Sequence, residues 1–119
     1  MSALTRTQIK TASKDGVYRA RVNSPAADTD VLLFEDPGLI ERLVVINATG
    51  TAGFVQIHDA ATLPADTTVP IYSRALAANG EVVIEDVYCA IGAIVAISTT
   101  GPTLTISANT AAFFANFRR

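Results

Sequence analysis

Short apolar runs, each closed by a turn signal, follow one another along most of this chain. The runs are rich in valine, isoleucine and threonine, whose β-branched side chains are stiff at χ1 and pack well on a pleated surface. No window keeps the i, i+3, i+4, i+7 spacing of an amphipathic helix between capping residues. About eight or nine short strands separated by turns are typical of two packed sheets. The sequence therefore predicts an all-β fold, a two-sheet antiparallel sandwich of the jelly-roll kind, with an extended N-terminal arm.

The predicted strands are the runs between the turn signals. In chain order they are 17–22, 31–35, 40–48, 54–60, 69–77, 81–87, 90–98, 103–107 and the C-terminal run AAFFANFR. One of them, 40–48, also fits a short helix, because Leu39, Ile40 and Leu43 share a helical face. Its Val-Val-Ile sequence and the glycine-rich turn behind it favour a strand.

Turn chemistry and alternation predict how the strands are used. Asn79-Gly80 predicts a type I′ hairpin, because both residues tolerate a positive φ. In 54–60, alternation places Val55 and Ile57 inward and the polar side chains outward. The same alternation predicts three further sets that each share a face: Ile91, Ala93, Val95 and Ile97; Leu104 and Ile106; Phe113, Ala115 and Phe117.

The only histidine, His58, is followed directly by Asp59. These are residue types of a catalytic pair, but neighbours on a strand point to opposite faces. No G-x-S-x-G or similar motif selects a nucleophile among the many serines and threonines. We interpret His58, like Gln56, as an exposed residue and Asp59 as the start of a loop. The pair is predicted to be structural and the protein is predicted not to be an enzyme.

Metal and cofactor sites find little support in the residue types. One cysteine and one histidine do not provide a zinc-ligand set. Three acidic pairs lack the loop spacing of a calcium site and are interpreted as solvated carboxylates: Asp28 and Asp30, Glu35 and Asp36, Glu85 and Asp86. Cys89 lies in an apolar run and is predicted to be a buried, inert thiol, which fits synthesis in a reducing cytoplasm. We expect no cofactor, no metal and no membrane span.

The charges are distributed unevenly along the chain. Residues 1–21 carry a net charge of +4, residues 22–117 carry −8, and the two terminal arginines add +2. We predict a basic arm, 1–22, before a sandwich domain, 23–119. The arm either binds nucleic acid, lies across the acidic body of a neighbouring copy, or is a solvated terminus. Contact with a neighbour is preferred to nucleic acid, and the candidate interface residues are Arg6, Lys10, Lys14, Arg19, Arg21, Arg118 and Arg119.

Residues 39–118 carry a family resemblance. A strand that ends in a polar residue and Asp-Ala leads into LPADTTVP, a loop with prolines towards both ends. A strand, a small-residue turn and another strand follow, and then GAIVAISTTGPTLTIS and the aromatic end. This succession resembles small β-sandwich virion proteins of tailed bacteriophages, of the capsid decoration, cement or head-fibre type.

The resemblance implies a capsid-surface protein that contacts the major capsid protein or other virion proteins. It also implies a symmetric oligomer, with a trimer preferred, and shell stabilisation through many weak contacts. Two alternatives stay open: a tail or baseplate component of such a virus, and a glycan-binding sandwich. The glycan alternative would use exposed aromatic side chains, although the chain has no tryptophan; the candidates are Tyr18, Tyr72, Tyr88 and Phe114.

Overall fold

The computed structural model describes the backbone of residues 7–12 and 18–23, and residues 27–118 in full. These residues form nine strands and no helix, so the run 40–48 is a strand and its helical alternative is wrong. The strands are β1 (Thr7–Ala12), β2 (Tyr18–Asn23), β3 (Asp30–Phe34), β4 (Gly38–Asn47), β5 (Gly53–Asp59), β6 (Tyr72–Leu76), β7 (Glu81–Cys89), β8 (Ala93–Ser98) and β9 (Ala111–Arg118).

The strands form two antiparallel sheets. The first has the order β1-β2-β9-β4-β7 and the second has the order β3-β8-β5-β6. Four of the strand pairs are nested in the sequence, as in one long hairpin whose turn lies between β5 and β6. These pairs are β2–β9, β3–β8, β4–β7 and β5–β6. Two further pairs, β4–β9 and β5–β8, join strands of different nested pairs and so complete the two sheets. This is the jelly-roll arrangement, and the predicted fold class is confirmed.

Two strands lie within the residues predicted as an arm. β1 and β2 pair with each other, and β2 pairs with β9, so that both extend the first sheet. The predicted boundary between 22 and 23 falls within β2, one residue before its end at Asn23. The backbone of residues 7–12 and 18–23, from the segment predicted to be an arm, is therefore part of the first sheet on the β9 side.

The core lies between the sheets and is built from alternating positions of their strands. On β9, Phe113, Ala115 and Phe117 are buried, whereas Phe114 is exposed, as the alternation predicts. Phe117 packs on Phe34 of the second sheet, with the two ring centroids 4.8 Å apart. Because aromatic side chains bury a large apolar area, this contact is a main link between the sheets.

A bulge in the first sheet decides which side chains of β4 face outward. The register between β4 and β9 shifts between Ile40 and Arg42. On β7, at the same level, Asp86 has a left-handed φ of 59°. An extra residue in a strand reverses the alternation beyond it. Leu43 is therefore buried in the core, whereas Val44 lies half-buried on the other face of the sheet.

The turn at Asn79-Gly80 exists, but it does not form a hairpin. The N–H of Gly80 donates to the carbonyl of Ala77 at 2.9 Å, and Asn79 has a left-handed φ of 52°. The strands that it joins, β6 and β7, lie in different sheets, so the predicted hairpin is wrong. Asn79 accepts positive φ as expected, but long-range pairing of β6 with β5 and of β7 with β4 decides the strand positions.

Asn47 holds this turn through its buried side chain. Its Nδ2 donates to the carbonyls of Thr51 and Ala77, both at 3.0 Å. Its Oδ1 accepts from the N–H and the hydroxyl of Thr49. All the hydrogen-bonding positions of the amide are thereby used, which is the condition for burying a polar group. Asn47 ties together the turns that follow β4 and β6.

Two predicted strands are shorter than their sequence patterns. β6 begins at Tyr72, and the apolar Val69 before it is 71% exposed. β8 begins at Ala93, which leaves Ile91 in a turn and 58% exposed, outside the core row predicted for it. In both cases the apolar sequence pattern begins before the first residue that has a neighbouring strand to pair with, so the strand is shorter than the pattern.

Candidate functional site

His58 and Gln56 are buried, contrary to the sequence prediction. His58 is 2% exposed and Gln56 is 0% exposed, although both lie on the face of β5 that points away from the core. Two loops, 60–71 and 99–107, cover this face of the second sheet, and we call them the loop cover. The two-residue alternation of β5 correctly predicted the face on which Gln56 and His58 lie, but it gives no information about loops that cover that face.

The loop cover includes the run 103–107, which was predicted to be a strand. Apart from an isolated bridge between Ser98 and Ile106, this run is irregular, so the prediction is wrong. Leu104 is buried as predicted, but its backbone pairs with the other loop. Its carbonyl accepts from the N–H of Thr67 at 2.7 Å, and its N–H donates to the carbonyl of Thr68 at 2.8 Å. The two loops are therefore joined to each other by backbone hydrogen bonds.

Gln56 connects the sheet to the loop cover. Its Nε2 lies 2.9, 3.1 and 3.0 Å from the carbonyl oxygens of Thr100, Gly101 and Thr103, respectively. Because this nitrogen donates, its partner atom Oε1 is the acceptor for His58, whose Nε2 is 3.0 Å away. His58 therefore carries its proton on Nε2. Burial lowers the pKa of this imidazole below its ordinary value, which favours the neutral ring.

Asp59 binds a turn rather than His58. Its carboxylate accepts hydrogen bonds from the backbone N–H groups of Ala90, Ile91 and Gly92, at 3.0, 2.7 and 3.2 Å. Burial raises the pKa of this carboxyl, but the three amide hydrogen bonds together outweigh burial and hold the pKa below its ordinary value. Each member of the His-Asp pair thus has its own hydrogen-bond partners.

Replacement of Asp59 by asparagine is expected to lower the free energy of unfolding by about 1–2 kcal/mol at pH 7, because charge-assisted hydrogen bonds become neutral ones. A carboxyl group whose pKa is lowered in the folded state stabilises the fold at pH values above its unfolded-state pKa. This stabilisation is lost as the pH falls through the folded-state pKa. The difference between Asp59→Asn and wild type should therefore shrink in acid. Urea unfolding at pH 7 and pH 2.5 measures the difference in the free energy of unfolding between wild type and Asp59→Asn. The same difference at the two pH values would contradict the expectation. Asp66→Asn, which alters one amide contact, is the matched control.

Cys89 and Asp30 are the buried members of the set of titratable residues that comprises Cys89 and the acidic pairs. Cys89 is a buried free thiol, as predicted, and burial, with a smaller contribution from Asp59, raises its pKa to about 11. Asp30 is buried at the start of β3, so its interpretation as a solvated carboxylate is wrong. Burial holds its pKa above the ordinary value, although a hydrogen bond from the hydroxyl of Thr29 acts in the opposite direction. Within residues 7–12, 18–23 and 27–118, no three His, Cys, Asp or Glu side chains are grouped to hold a metal.

The candidate interface residues are only partly described. Arg6, Lys14 and Arg119 lie outside the described residues, while Lys10 belongs to β1 and Arg19 and Arg21 belong to β2. The backbone register places Arg19 opposite Arg118 and Arg21 opposite Asn116.

The side chain of Arg118 is described, and it has a partner within the chain. Its Nε lies 3.7 Å from Oε2 of Glu41, and both side chains are partly exposed. An exposed ion pair of this length contributes little to stability, so Arg118 retains the capacity to bind another carboxylate. Arg118, Arg19 and Arg21 are thus grouped by β2 and β9 at one side of the first sheet.

The outer face of the first sheet was not recognised as a surface from the sequence. It presents four apolar side chains, which we call the apolar stripe: Val44, Ile46, Val83 and Phe114. In the register, Val44 lies opposite both Phe114 and Val83. The outward position of Phe114 was predictable from β9, but the bulge that turns Val44 outward was not.

The aromatic residues of the glycan-binding alternative are spread over the molecule. Tyr72 is half-buried on β6 of the second sheet, and Tyr88 is exposed on β7 of the first. Phe114 is two strands away from Tyr88, a separation of about 10 Å across the sheet before the offset along the strands is added. The side chain of Tyr18 lies outside the described residues. The described three do not form one stacking platform.

Comparison with protein-family models, with curated proteins and with solved structures finds no match for this chain. In the described part of the chain, no helix is long and apolar enough to cross a membrane.

Proposed function

We propose that this chain is a non-enzymatic structural protein of a tailed-bacteriophage virion, of the capsid decoration or cement type. It is made in the host cytoplasm and binds the outer surface of the head through the major capsid protein or other virion proteins. The jelly-roll sandwich fits the resemblance of residues 39–118 to such proteins. The observation that carries the proposal is the apolar stripe on the outer face of the first sheet.

The apolar stripe has the composition of a protein contact. Phe114 is 40% exposed and Ile46 is 39% exposed, and the half-buried Val44 and Val83 join them across three neighbouring strands. Contiguous apolar surface rimmed by polar residues is typical of interaction sites. Polar residues on neighbouring positions of the same face supply that rim: Arg42, Glu81, Glu85 and Asn116.

The charges around the apolar stripe favour contact between copies of the chain. Glu81, Glu85 and Asp86 are exposed on β7 at one side of the sheet, and Arg118 ends β9 on the other side of β4. A surface with opposite charges at its two sides suits head-to-tail contact, and we propose a rotation between copies that closes this contact into a trimeric ring. The register places Arg19 and Arg21 of β2 on the face of Arg118, so they extend the arginine side towards a neighbour's acidic side in this arrangement. It places Lys10 of β1 level with Phe117, on the opposite face.

A charge placed in the apolar stripe is expected to break the oligomer. Val44→Glu puts a carboxylate between Phe114 and Val83 on the outer face, where burial against a neighbouring copy would leave it unpaired. Light scattering behind a sizing column should show a mass near three times 12.5 kDa for wild type and 12.5 kDa for the variant. Val69→Glu, at an exposed apolar residue of the loop cover, should keep the wild-type mass. A monomeric wild type would remove the support that the stripe gives to this proposal.

The location in the virion tests the proposed function directly. Heads and tails of the virus that carries this gene are separated, and each fraction is probed for the chain by mass spectrometry. We expect the chain in the head fraction, and we expect heads that lack it to release DNA at a lower temperature. Recovery with tails would favour the tail or baseplate alternative. Absence from both fractions together with a signal on a glycan array would favour the glycan-binding alternative.

A further inference from the structure

The second sheet is covered on both sides, by the first sheet and by the loop cover. On the side of the loop cover, the register places Gln56 opposite Ala96 and His58 opposite Ile94, and all four side chains are buried. A sandwich sheet usually presents this side to water. Here the loop cover excludes water, although it has no regular secondary structure that would stabilise it independently.

A short chain of buried side-chain hydrogen bonds attaches the middle of the loop 99–107 to the second sheet, while backbone hydrogen bonds from Ile71 to Ile57 and from Ser107 to Ile97 attach the ends of the two loops. His58 donates to Gln56, and Gln56 donates to loop carbonyls of residues 100, 101 and 103. Ser98 adds a second link, because its hydroxyl donates to the carbonyl of Thr100 at 2.7 Å and accepts the N–H of Thr105 at 3.0 Å. Of these groups, only the imidazole of His58 titrates near neutral pH.

His58 has one free position for a proton and no partner for it among the described residues. Nε2 is engaged with Gln56, and no described group hydrogen-bonds with Nδ1. A proton added at Nδ1 would place a full charge and an unsatisfied donor in a site that is 2% exposed. Burying an unpaired charge is strongly unfavourable, so the charged ring must either reach water or remain unprotonated.

The charged groups around His58 do not compensate such a charge. On its own strand, Asp59 is held by three backbone amides. β8 has no titratable side chain, and the neighbouring β6 carries Tyr72 and Arg74. In the loop cover the one titratable group is Asp66, whose carboxylate accepts a backbone N–H. Burial is the cause that shifts the pKa of His58, and it favours the neutral ring.

We infer that the loop cover is an acid-sensitive lid: a proton added at Nδ1 of His58 leaves the Nε2 bond to Gln56 in place but puts an unpaired charge under the loops, so the charged ring reaches water only when residues 60–71 and 99–107 open from the second sheet. The two-sheet core does not contain His58 and stays closed when the lid opens. Opening exposes a face with Gln56, His58, Ile94 and Ala96, which is a new surface for contact in acid. This inference is independent of the proposed virion role.

The expected pH dependence follows from the direction of the shift. The open state binds a proton with the ordinary histidine pKa of about 6.5, whereas the closed state binds it only at lower pH. The closed state is therefore fully favoured above about pH 6.5 and loses stability as pH falls through the window between the two pKa values. Within that window the opening constant rises by up to about tenfold per pH unit.

Hydrogen exchange of the full chain tests the lid. Exchange is followed by mass spectrometry between pH 7.5 and pH 5.0, with correction for the intrinsic rates. We expect up to about tenfold more opening per pH unit below pH 6.5 in peptides from 60–71 and 99–107. Peptides from β4 and β9 should keep their protection. Loss of protection in the lid and the core together at the same pH would overturn the inference.

Two variants and one titration complete the test. His58→Gln removes the imidazole and should abolish the acid response, whereas Asp66→Asn removes the one carboxylate of the loop cover and should retain the response. An unchanged acid response in His58→Gln would overturn the inference. If that variant fails to fold, NMR titration of wild type decides, since the single histidine gives an unambiguous signal. A pKa at or above 6.5, or titration without lid opening, would also overturn it.

Discussion

Replacing Phe117 by alanine is expected to lower the free energy of unfolding by about 3–5 kcal/mol. Phe117 is fully buried and packs on Phe34 across the two sheets. Removing the ring takes away the transfer free energy of the phenyl group and leaves a cavity that a close-packed sandwich fills only in part. For a domain of this size, such a loss is a large fraction of a total stability of about 5–15 kcal/mol.

Urea unfolding of Phe117→Ala and Phe117→Leu measures this effect and its cause. The leucine variant keeps most of the apolar volume and should lose clearly less stability than the alanine variant. Equal losses would indicate that the aromatic contact with Phe34, rather than the filled volume, is what matters. A loss below about 1 kcal/mol for alanine would show that the two sheets do not pack on this side chain as described.

Replacing Gln56 by alanine is expected to cost a similar amount, about 3–5 kcal/mol, by a different mechanism. The substitution leaves the carbonyl of Gly101 without its donor and removes the acceptor of His58. The carbonyls of residues 100 and 103 lose one donor each and keep a hydroxyl donor, from Ser98 and Thr100 respectively. Each buried polar group left unsatisfied costs about 1–3 kcal/mol, and partial entry of water reduces the sum. We also expect faster hydrogen exchange in the loop cover than in the core.

Gln56→Leu separates hydrogen bonding from packing. Leucine fills much of the same space without any donor, so it should be nearly as destabilising as alanine if the hydrogen bonds dominate. Wild-type stability in Gln56→Leu would contradict that account. Asn116→Ala removes an amide at an exposed position of β9 and should change the free energy of unfolding by no more than about 0.5 kcal/mol.

The all-β class and the position of most strands were predictable, because they depend on local pattern. The alternation in AAFFANFR placed Phe113 and Phe117 in the core and Phe114 outside, as the structure shows. The burial of Cys89 was equally predictable from its apolar neighbours. In each case the residue's environment follows from the two-residue repeat of a strand and from the apolar character of the run.

The candidate site was much less predictable, because it depends on contacts between distant segments. His58 was expected at the surface, and alternation was right about its face but had no way to show that residues 60–71 and 99–107 would cover it. The partners of Gln56 lie 44 to 47 residues further along the chain. The outward position of Val44 depends on a register shift against β9, about 70 residues away in sequence.

The sequence alone thus determined the class of the fold, since β-branched runs and turn residues act on neighbouring positions. It also determined the unequal distribution of charge. The tertiary structure decided the rest: the pairing of β6 and β7 in different sheets, the apolar stripe, the hydrogen bonds of Asp59 and the burial of His58. The physical reason is that strand pairing and the burial of polar groups are settled by partners far apart in sequence, and a residue's own neighbours do not specify those partners.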